Sequence, residues 1–377
     1  MTAAPLQDGP LAIIGDVHGE LGALDALLQQ LDELPGPKRG LAFVGDLTDR
    51  GPDSPGVMRR VRALMDAGRA QLVLGNHELN LLRMDLEPRG DNAWLRGERR
   101  EVAPGEWLAE TRVESEAERS ELLAMLDDVP VALERDDLAV VHAMWDPDSL
   151  KTLAAEHVAQ TGQREARGAV PLERAFPTAG SGLVQRQKST QKRLHEELRA
   201  SGALEAAREA ERKIRAAHPV NLTGPADGKP RISPEIQRRE LTLQNDDPLR
   251  VLTSGREALT DQVFAAGGKW RHTRRQRWWL GHEGKPIAFG HYWRQSRPAT
   301  PFRQRPFAPP NPFEGEAPFG PVGAAERAFC LDYSVGRRFL ERLEHPHRTH
   351  FEGRLAALLW PEGWTLFDDG VLVQGRE

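Results

Sequence analysis

Cysteine is nearly absent: Cys330 is the single one among 377 residues. That excludes an internal disulfide and a metal cluster built from cysteines, and it leaves His, Asp, Asn and Glu as the side chains for any metal site. It also suits a reducing compartment, so a cytoplasmic protein is expected. No apolar run approaches the ~18 residues of a spanning helix, so no membrane is expected as a partner. The opening MTAAPLQDGPLAIIGD lacks the basic stretch, apolar segment and small-residue cleavage site of a secretory leader, and none is expected. Positive charge is not in surplus. The formal net charge is −5, which argues against nucleic acid as the main partner.

What is present is enough for a core. Hydrophobic residues make up 39% and charged residues 28%, the balance of a soluble chain rather than a disordered one. The length is generous for one compact domain and allows a large insertion.

A repeating unit organises the first 80 residues. Residues 11–15 (LAIIG), 41–45 (LAFVG) and 71–75 (QLVLG) are short apolar runs ending in glycine. Each reads as a buried strand. Leu21, Leu24, Leu27, Leu28 and Leu31 recur at helical spacing after the first, until Pro35, Gly36 and Pro37 stop them. Val57, Val61, Leu64 and Met65 mark a second helix. Strand, turn and helix in alternation predict parallel strands joined by right-handed crossovers. Further strand signals are 138–141, ending at His142, 286–289, ending at Gly290 and His291, and 328–331, ending at Asp332. Residues 355–373 can add more strands. An α/β fold follows. The catalytic domain is expected over 1–150 and 281–377, with 151–280 as a largely helical, charged insertion or lid. Residues 296–323, rich in Pro, Phe and Gly, read as an extended surface loop.

The placement of polar residues carries the chemistry. Asp16 and His18 follow the first strand, Asp46, Asp49 and Arg50 the second, Asn76 and His77 the third. In open α/β sheets, ligands sit beyond the carboxyl ends of the strands, so these turns converge on one rim. Any one of these residues alone reads as a turn cap, a buried histidine or a surface charge. Metal-ligand types after five successive strands do not. Asp, His and Asn without thiolate suit Mn²⁺, Fe or Zn²⁺. A close metal pair is best held by a shared carboxylate, and metals about 3.5–4 Å apart clamp a hydroxide and a phosphoryl group together. The glycines at 15, 19, 45, 51 and 75 fit sharp turns and close backbone approach.

Gly15-Asp16-Val17-His18-Gly19, Gly45-Asp46-Leu47-Thr48-Asp49-Arg50-Gly51 and Gly75-Asn76-His77-Glu78 resemble the three blocks of the calcineurin-like metallophosphoesterase superfamily. The Asp-Arg-Gly in the second block resembles the phosphoprotein phosphatase branch, which includes bacterial symmetrical diadenosine tetraphosphate hydrolases. The resemblance is strong over residues 11–80 and continues through His142 and Gly290-His291.

The resemblance implies an αββα sandwich and two divalent metal ions, with Mn²⁺ the usual choice and Fe or Zn²⁺ the alternatives. Asp16 and His18 would hold the first metal, Asp46 would bridge both, and Asn76, His142 and His291 would complete the second. His77 would be the general acid, with Asp49 fixing its tautomer, and Arg50 would grip the phosphoryl oxygens. A hydroxide bridging the metals would attack phosphorus directly, without a phosphoenzyme. Other branches end in Gly-His-x-His, and here Trp293 stands at the second histidine. The further phosphate-gripping arginine of the eukaryotic protein phosphatases has no motif in this sequence. Arg256, Arg271, Arg274 and Arg275 are candidates, each more simply read as a solvated basic face.

The implied activity is metal-dependent hydrolysis of a phosphorylated substrate, a phosphoprotein (Ser/Thr) or a small phosphate ester. Symmetrical dinucleoside tetraphosphate hydrolysis is the alternative. It would call for stacking aromatics and extra arginines, which Trp270, Trp278 and Trp279 among the nearby arginines could supply, although large aromatics are usually packed in cores. A catalytically dead scaffold would be expected to have lost a ligand or His77, and all are present.

Overall fold

The runs LAII, GLAF and AQL form strands Leu11–Ile14, Gly40–Phe43 and Ala70–Leu72. They pair in parallel, Leu11 opposite Gly40 and Leu41 opposite Ala70. The intervening helices are Leu21–Glu33 and Ser54–Asp66. Asp53 caps the latter, accepting from the Gly56 N–H, and a proline sits in its first turn, a pairing that satisfies free helix-end donors and presets φ. The computed structural model describes residues 3–83, 92–103, 105–161, 180–221, 224–225, 228–266, 268–296 and 307–374.

Strands Ala356–Trp360, Trp364–Phe367 and Leu372–Val373 extend this sheet antiparallel from Leu11–Ile14, giving six strands. A second sheet of five strands contains Ala4–Pro5, Ala132–Glu134, Ala139–Val141, Ile287–Phe289 and Ala328–Cys330. The two sheets face each other. Leu11, Ile13, Ala42 and Val44 of the first pack with Leu133, Val140, Ala288 and Phe329 of the second in one buried cluster. The alternate residues Ala12, Ile14, Leu41 and Phe43 point outward onto Leu24, Leu27, Val57 and Val61. A two-residue period buried on both faces makes a continuous apolar strand. Each such Leu or Ile side chain contributes about 1.5–3 kcal/mol by burial. The result is an αββα sandwich, and the strand-end residues come from two sheets rather than from one rim.

Within 151–280 the described helices include Gly180–Ala200, Ala203–Ala217, Pro234–Asn245 and Pro248–Ser254. Two strand pairs in this region depart from the helical expectation: Val220–Asn221 with Gly224–Pro225, and the longer antiparallel hairpin of Glu257–Ala266 and Lys269–Arg275, where Gly268 has φ +70°. Of the expected Pro-rich loop, 307–323 is described and has no strand longer than an isolated bridge at Val322. Residues 297–306 lie outside the described residues, as do 162–179 of the insertion. Among the described residues no helix is long and apolar enough to cross a membrane.

Candidate active site

The carboxyl ends of strands from both sheets meet at one point. Asp16, His18, Asp46, Asp49, His77 and His142 are all at least nine-tenths buried there. The backbone is strained where they sit. His18, Asp46, Asp49, Arg50, His291 and Trp293 all have φ between +49° and +73°. Non-glycine residues in the left-handed region cost of order 1–3 kcal/mol each and persist only where the surroundings enforce them. Six of them at one place point to a site whose side chains must be aimed.

Close backbone approach makes the aim possible. A Cβ on Gly290 would lie 1.9 Å from Asp16 Oδ1, and one on Gly75 would lie 2.3 Å from Asp46 Oδ1. Glycine at these two positions lets the turns wrap the carboxylates. The His291 N–H donates to both Asp16 oxygens at 3.2 and 3.3 Å.

Asp46 is the hub. One of its oxygens lies 3.8 Å from His18 Nε2 and 3.8 Å from His77 Nε2, and the other 3.3 Å from His142 Nε2. Two ligand clusters therefore share it: Asp46 with His18 and His77, and Asp46 with His142 and His291, with the ligand atoms of each within 4.8 Å of one another. Asp16 joins the first side through His18, 3.8 Å away. Asn76 joins the second, its Oδ1 3.2 Å from His142 Nε2.

The histidine tautomers suit cation binding. His18 Nδ1 lies 3.1 Å from the Thr48 carbonyl, and His142 Nδ1 2.7 Å from the Val44 carbonyl. Carbonyls only accept, so each Nδ1 carries a proton and each Nε2 faces the site with its lone pair. At His142 that nitrogen, Asp46 Oδ1 and Asn76 Oδ1 converge. Three lone-pair donors aimed at one another need a proton or a metal between them.

The electrostatics agree. Burial pulls His142 down, but the charge and hydrogen bond of Asp46 outweigh it and hold the imidazole at about 10. Burial would raise Asp46, yet His142, His77 and His18 keep it well below the usual carboxylate range. Asp16 is raised well above that range by burial and by the charge of Asp332. His291 is lowered well below its ordinary value by burial and then by the Arg275 and His142 charges, and His18 by burial, Arg50 and His77. A mixed set of crowded carboxylates and imidazoles fits hard or borderline divalent cations, which would take the place of the proton that His142 otherwise holds.

His77 opens the helix Asn76–Arg83. Its backbone N–H donates to Asp46 Oδ1 at 3.0 Å, and its Nδ1 lies 2.5 Å from Asp49 Oδ2. Burial lowers the ring, but Asp46 and the Asp49 hydrogen bond lift it above its ordinary value. Arg50 reaches in between: Nη1 is 2.6 Å from His18 Nε2 and Nη2 3.3 Å from His77 Nε2. Its guanidinium lies 4.8 Å from the Trp293 ring centroid, a cation–π contact made by the residue that stands where a second histidine would. The structure thus brings Asp16, His18, Asp46, Asp49, Arg50, Asn76, His77, His142 and His291 together.

Two further contributors, Glu78 and Trp94, are visible only in the fold, and a third, Asp332, ends a strand signal already read in the sequence. Glu78 reads in sequence as a first-turn helix acid. It is fully buried and accepts from the N–H groups of Asp46, Leu47 and Gly75 at 2.8, 2.8 and 3.0 Å. It ties the second and third strand-end turns together. Glu78→Ala leaves three buried donors unserved, and we expect a loss of about 3 kcal/mol in denaturant unfolding, at 1–3 kcal/mol per orphaned group. A loss below about 1 kcal/mol would contradict this role. Trp94 donates its indole N–H to Asp49 Oδ1 at 2.7 Å and so fixes the carboxylate that fixes His77. Asp332 accepts from the Trp293 and Ser334 N–H groups at 2.8 and 2.9 Å and so shapes the 290–293 turn.

The arginine candidates already have protein partners. Arg256 Nη2 is 3.1 Å from Asp146, and Arg271 and Arg275 are 3.3 and 3.2 Å from Glu257. Arg274 donates to the Leu259 carbonyl at 3.3 Å. Trp270, Trp278 and Trp279 are buried, so none offers an open stacking face.

Residues 9–152 match the calcineurin-like phosphoesterase family. Three similar curated proteins carry the name symmetrical bis(5'-nucleosyl)-tetraphosphatase. The one from Janthinobacterium sp. (strain Marseille) is 38% identical over 130 residues, 34% of this chain and 42% of that protein. The one from Chromohalobacter salexigens is 37% identical over 157 residues, 41% of this chain and 52% of that protein. The one from Cronobacter sakazakii is 53% identical over 70 residues, 19% of this chain and 24% of that protein. The chain thus spans about half the length, or less, of these relatives. Sandwich, strand-end ligand set and sequence match converge: residues 9–152 are a calcineurin-like phosphoesterase domain.

Proposed function

We propose that the chain is a metal-dependent phosphoester hydrolase. One observation carries the reading: a single buried carboxylate, Asp46, is shared by two clusters of ligand atoms beside a His77–Asp49 pair. Asp16, His18 and Asp46 would hold one divalent ion, and Asp46, Asn76, His142 and His291 the other, Mn²⁺ being the first choice. Bound there, the ions would supply an activated water and neutralise phosphoryl charge.

The protein's own groups do the rest. Asp49 accepts from His77 Nδ1, so the Nε2–H points into the site and can protonate the leaving oxygen. The raised position of His77 keeps that proton available near neutral pH. Arg50, already reaching between His18 and His77, presents a planar fork to phosphoryl oxygens and stabilises the charge that builds on them. Burial of the cluster excludes bulk water and strengthens each of these interactions.

A second, finer reading is symmetrical hydrolysis of a dinucleoside tetraphosphate, favoured by the name the three relatives share. A rate panel with Mn²⁺ tests both: p-nitrophenyl phosphate, a phosphoserine peptide and a dinucleoside tetraphosphate. Turnover of any of them that stops on chelation is expected. A kcat/KM highest for the dinucleotide, yielding two equal nucleoside diphosphates, supports the finer reading. No metal-dependent turnover of any substrate would contradict the hydrolase itself.

A further inference from the structure

The hairpin of Glu257–Ala266 and Lys269–Arg275 contributes nothing to the ligand clusters, yet it is strongly basic. Lys269, Arg271 and Arg275 alternate along one strand and so share a face. With Arg274 and Arg277 they line a cleft of about 380 Å³, in which Glu257 is the one lining carboxylate among the described residues. Glu257 sits between Arg271 and Arg275 and offsets only part of that charge. Arg277 has Glu316 at 3.1 Å. Partial burial and then the Arg271 charge hold the Lys269 ammonium below its ordinary value.

The opposite wall is Pro309–Pro312. It is fastened to the hairpin next to it, where the Ala265 N–H donates to the Phe307 carbonyl at 2.9 Å and the Phe307 ring meets Trp270 at 5.6 Å. Proline adds a stiff apolar wall without an N–H, so polar recognition falls to the cations.

Arg275 is the lining residue that ties the cleft to the active site, since its charge helps to lower His291. Arg275 donates to the Ser254 carbonyl at 2.5 Å. A Cβ on the next residue, Gly255, would lie 2.0 Å from Tyr292 Oη, and Tyr292 follows the ligand His291. From Arg275 the strand carries the basic face outward to Lys269, about 20 Å at ~3.3 Å per residue. A row of cations of that length matches an extended chain of phosphates, and a lone phosphate monoester cannot span it.

We propose that this cleft binds a linear polyphosphate chain and holds the part of a polyphosphate substrate that extends past the metal site. The inference rests on the reading of that site as a phosphoester hydrolase. The test uses Lys269→Ala/Arg274→Ala, two exposed residues outside the catalytic machinery. Two ligands, inorganic tripolyphosphate and a dinucleoside tetraphosphate, are titrated into chelator-treated protein by calorimetry. The same variant is assayed with Mn²⁺ on the dinucleotide and on p-nitrophenyl phosphate.

We expect binding of both ligands to weaken about tenfold or more, since a charge-assisted contact is worth about 1.5–3 kcal/mol. KM for the dinucleotide should rise by a similar factor with kcat kept, and p-nitrophenyl phosphate kinetics should not change. Weakening confined to tripolyphosphate supports a polyphosphate cleft whose ligand is the free polymer. Unchanged binding of both ligands, or an equal loss on p-nitrophenyl phosphate, overturns the proposal. If the wild-type protein turned over nothing, the hydrolase reading would fail while the binding arm still judged the cleft.

Discussion

Asp46→Asn is expected to strip metal from both halves of the site at once. Asp46 is the one side chain common to the two ligand clusters, and it is the anion that holds His142 and His77 in their raised states. The amide keeps the shape and removes the charge. Loss of an outer partner of a metal ligand costs about 10–100-fold in affinity or activity. Loss of a shared ligand charge should cost more than ~100-fold in both. Metal analysis of purified protein and kcat/KM on p-nitrophenyl phosphate read the two effects, and wild-type metal content in Asp46→Asn would refute the bridging role.

The same variant carries a pH signature in the metal-free protein. His142 is held at about 10, above its ordinary 6.5. A base whose folded value is raised stabilises fully below its unfolded value and loses that contribution as pH rises through the folded one. Chelator-treated wild-type protein should therefore lose stability between pH 6.5 and about 10. Asp46→Asn, lacking the anion, should show a flatter profile over that range. Parallel profiles would mean that another group sets the state of His142.

His77→Ala is expected to have the second-largest effect, and a different character. General acids contribute about 10²–10⁴-fold. We expect kcat to fall by that much on alkyl phosphates and by less on p-nitrophenyl phosphate, whose leaving group needs little help. Metal content should remain. This separation matters because His77 Nε2 stands 3.8 Å from Asp46 and within the ligand-atom cluster of His18. Its Nδ1, however, is bound to Asp49, and Trp94 holds Asp49 in turn. That chain orients a proton donor. Metal loss in His77→Ala equal to that in Asp46→Asn would make His77 a ligand instead.

The strand-end residues were legible because their signal is local. An apolar run, a glycine and then Asp, His or Asn is a short local pattern, and the runs read at 11–15, 41–45 and 71–75 form strands over 11–14, 40–43 and 70–72. Their partition into two sheets was not legible. Ala139–Val141 pairs with Ile287–Phe289, and Leu11–Ile14 with Ala356–Trp360. Such pairings are set by tertiary packing between distant segments, which no local pattern encodes. The hairpin at 257–275 hid for another reason. EALTDQVFAA and KWRHTRR bury few side chains and carry charge on both faces, so the two-residue apolar alternation is weak. Glu78 and Trp94 hid because their partners lie up to 45 residues away. In sequence a first-turn glutamate and a buried tryptophan already have ordinary explanations.

Strand ends from two sheets are placed to hold a pair of cations around Asp46, and anomalous scattering from manganese-soaked crystals would reveal them. Two manganese peaks are expected, both against the Asp46 carboxylate, one also against Asp16 and His18 and the other against Asn76, His142 and His291. A single peak, or peaks that do not share Asp46, would contradict that arrangement.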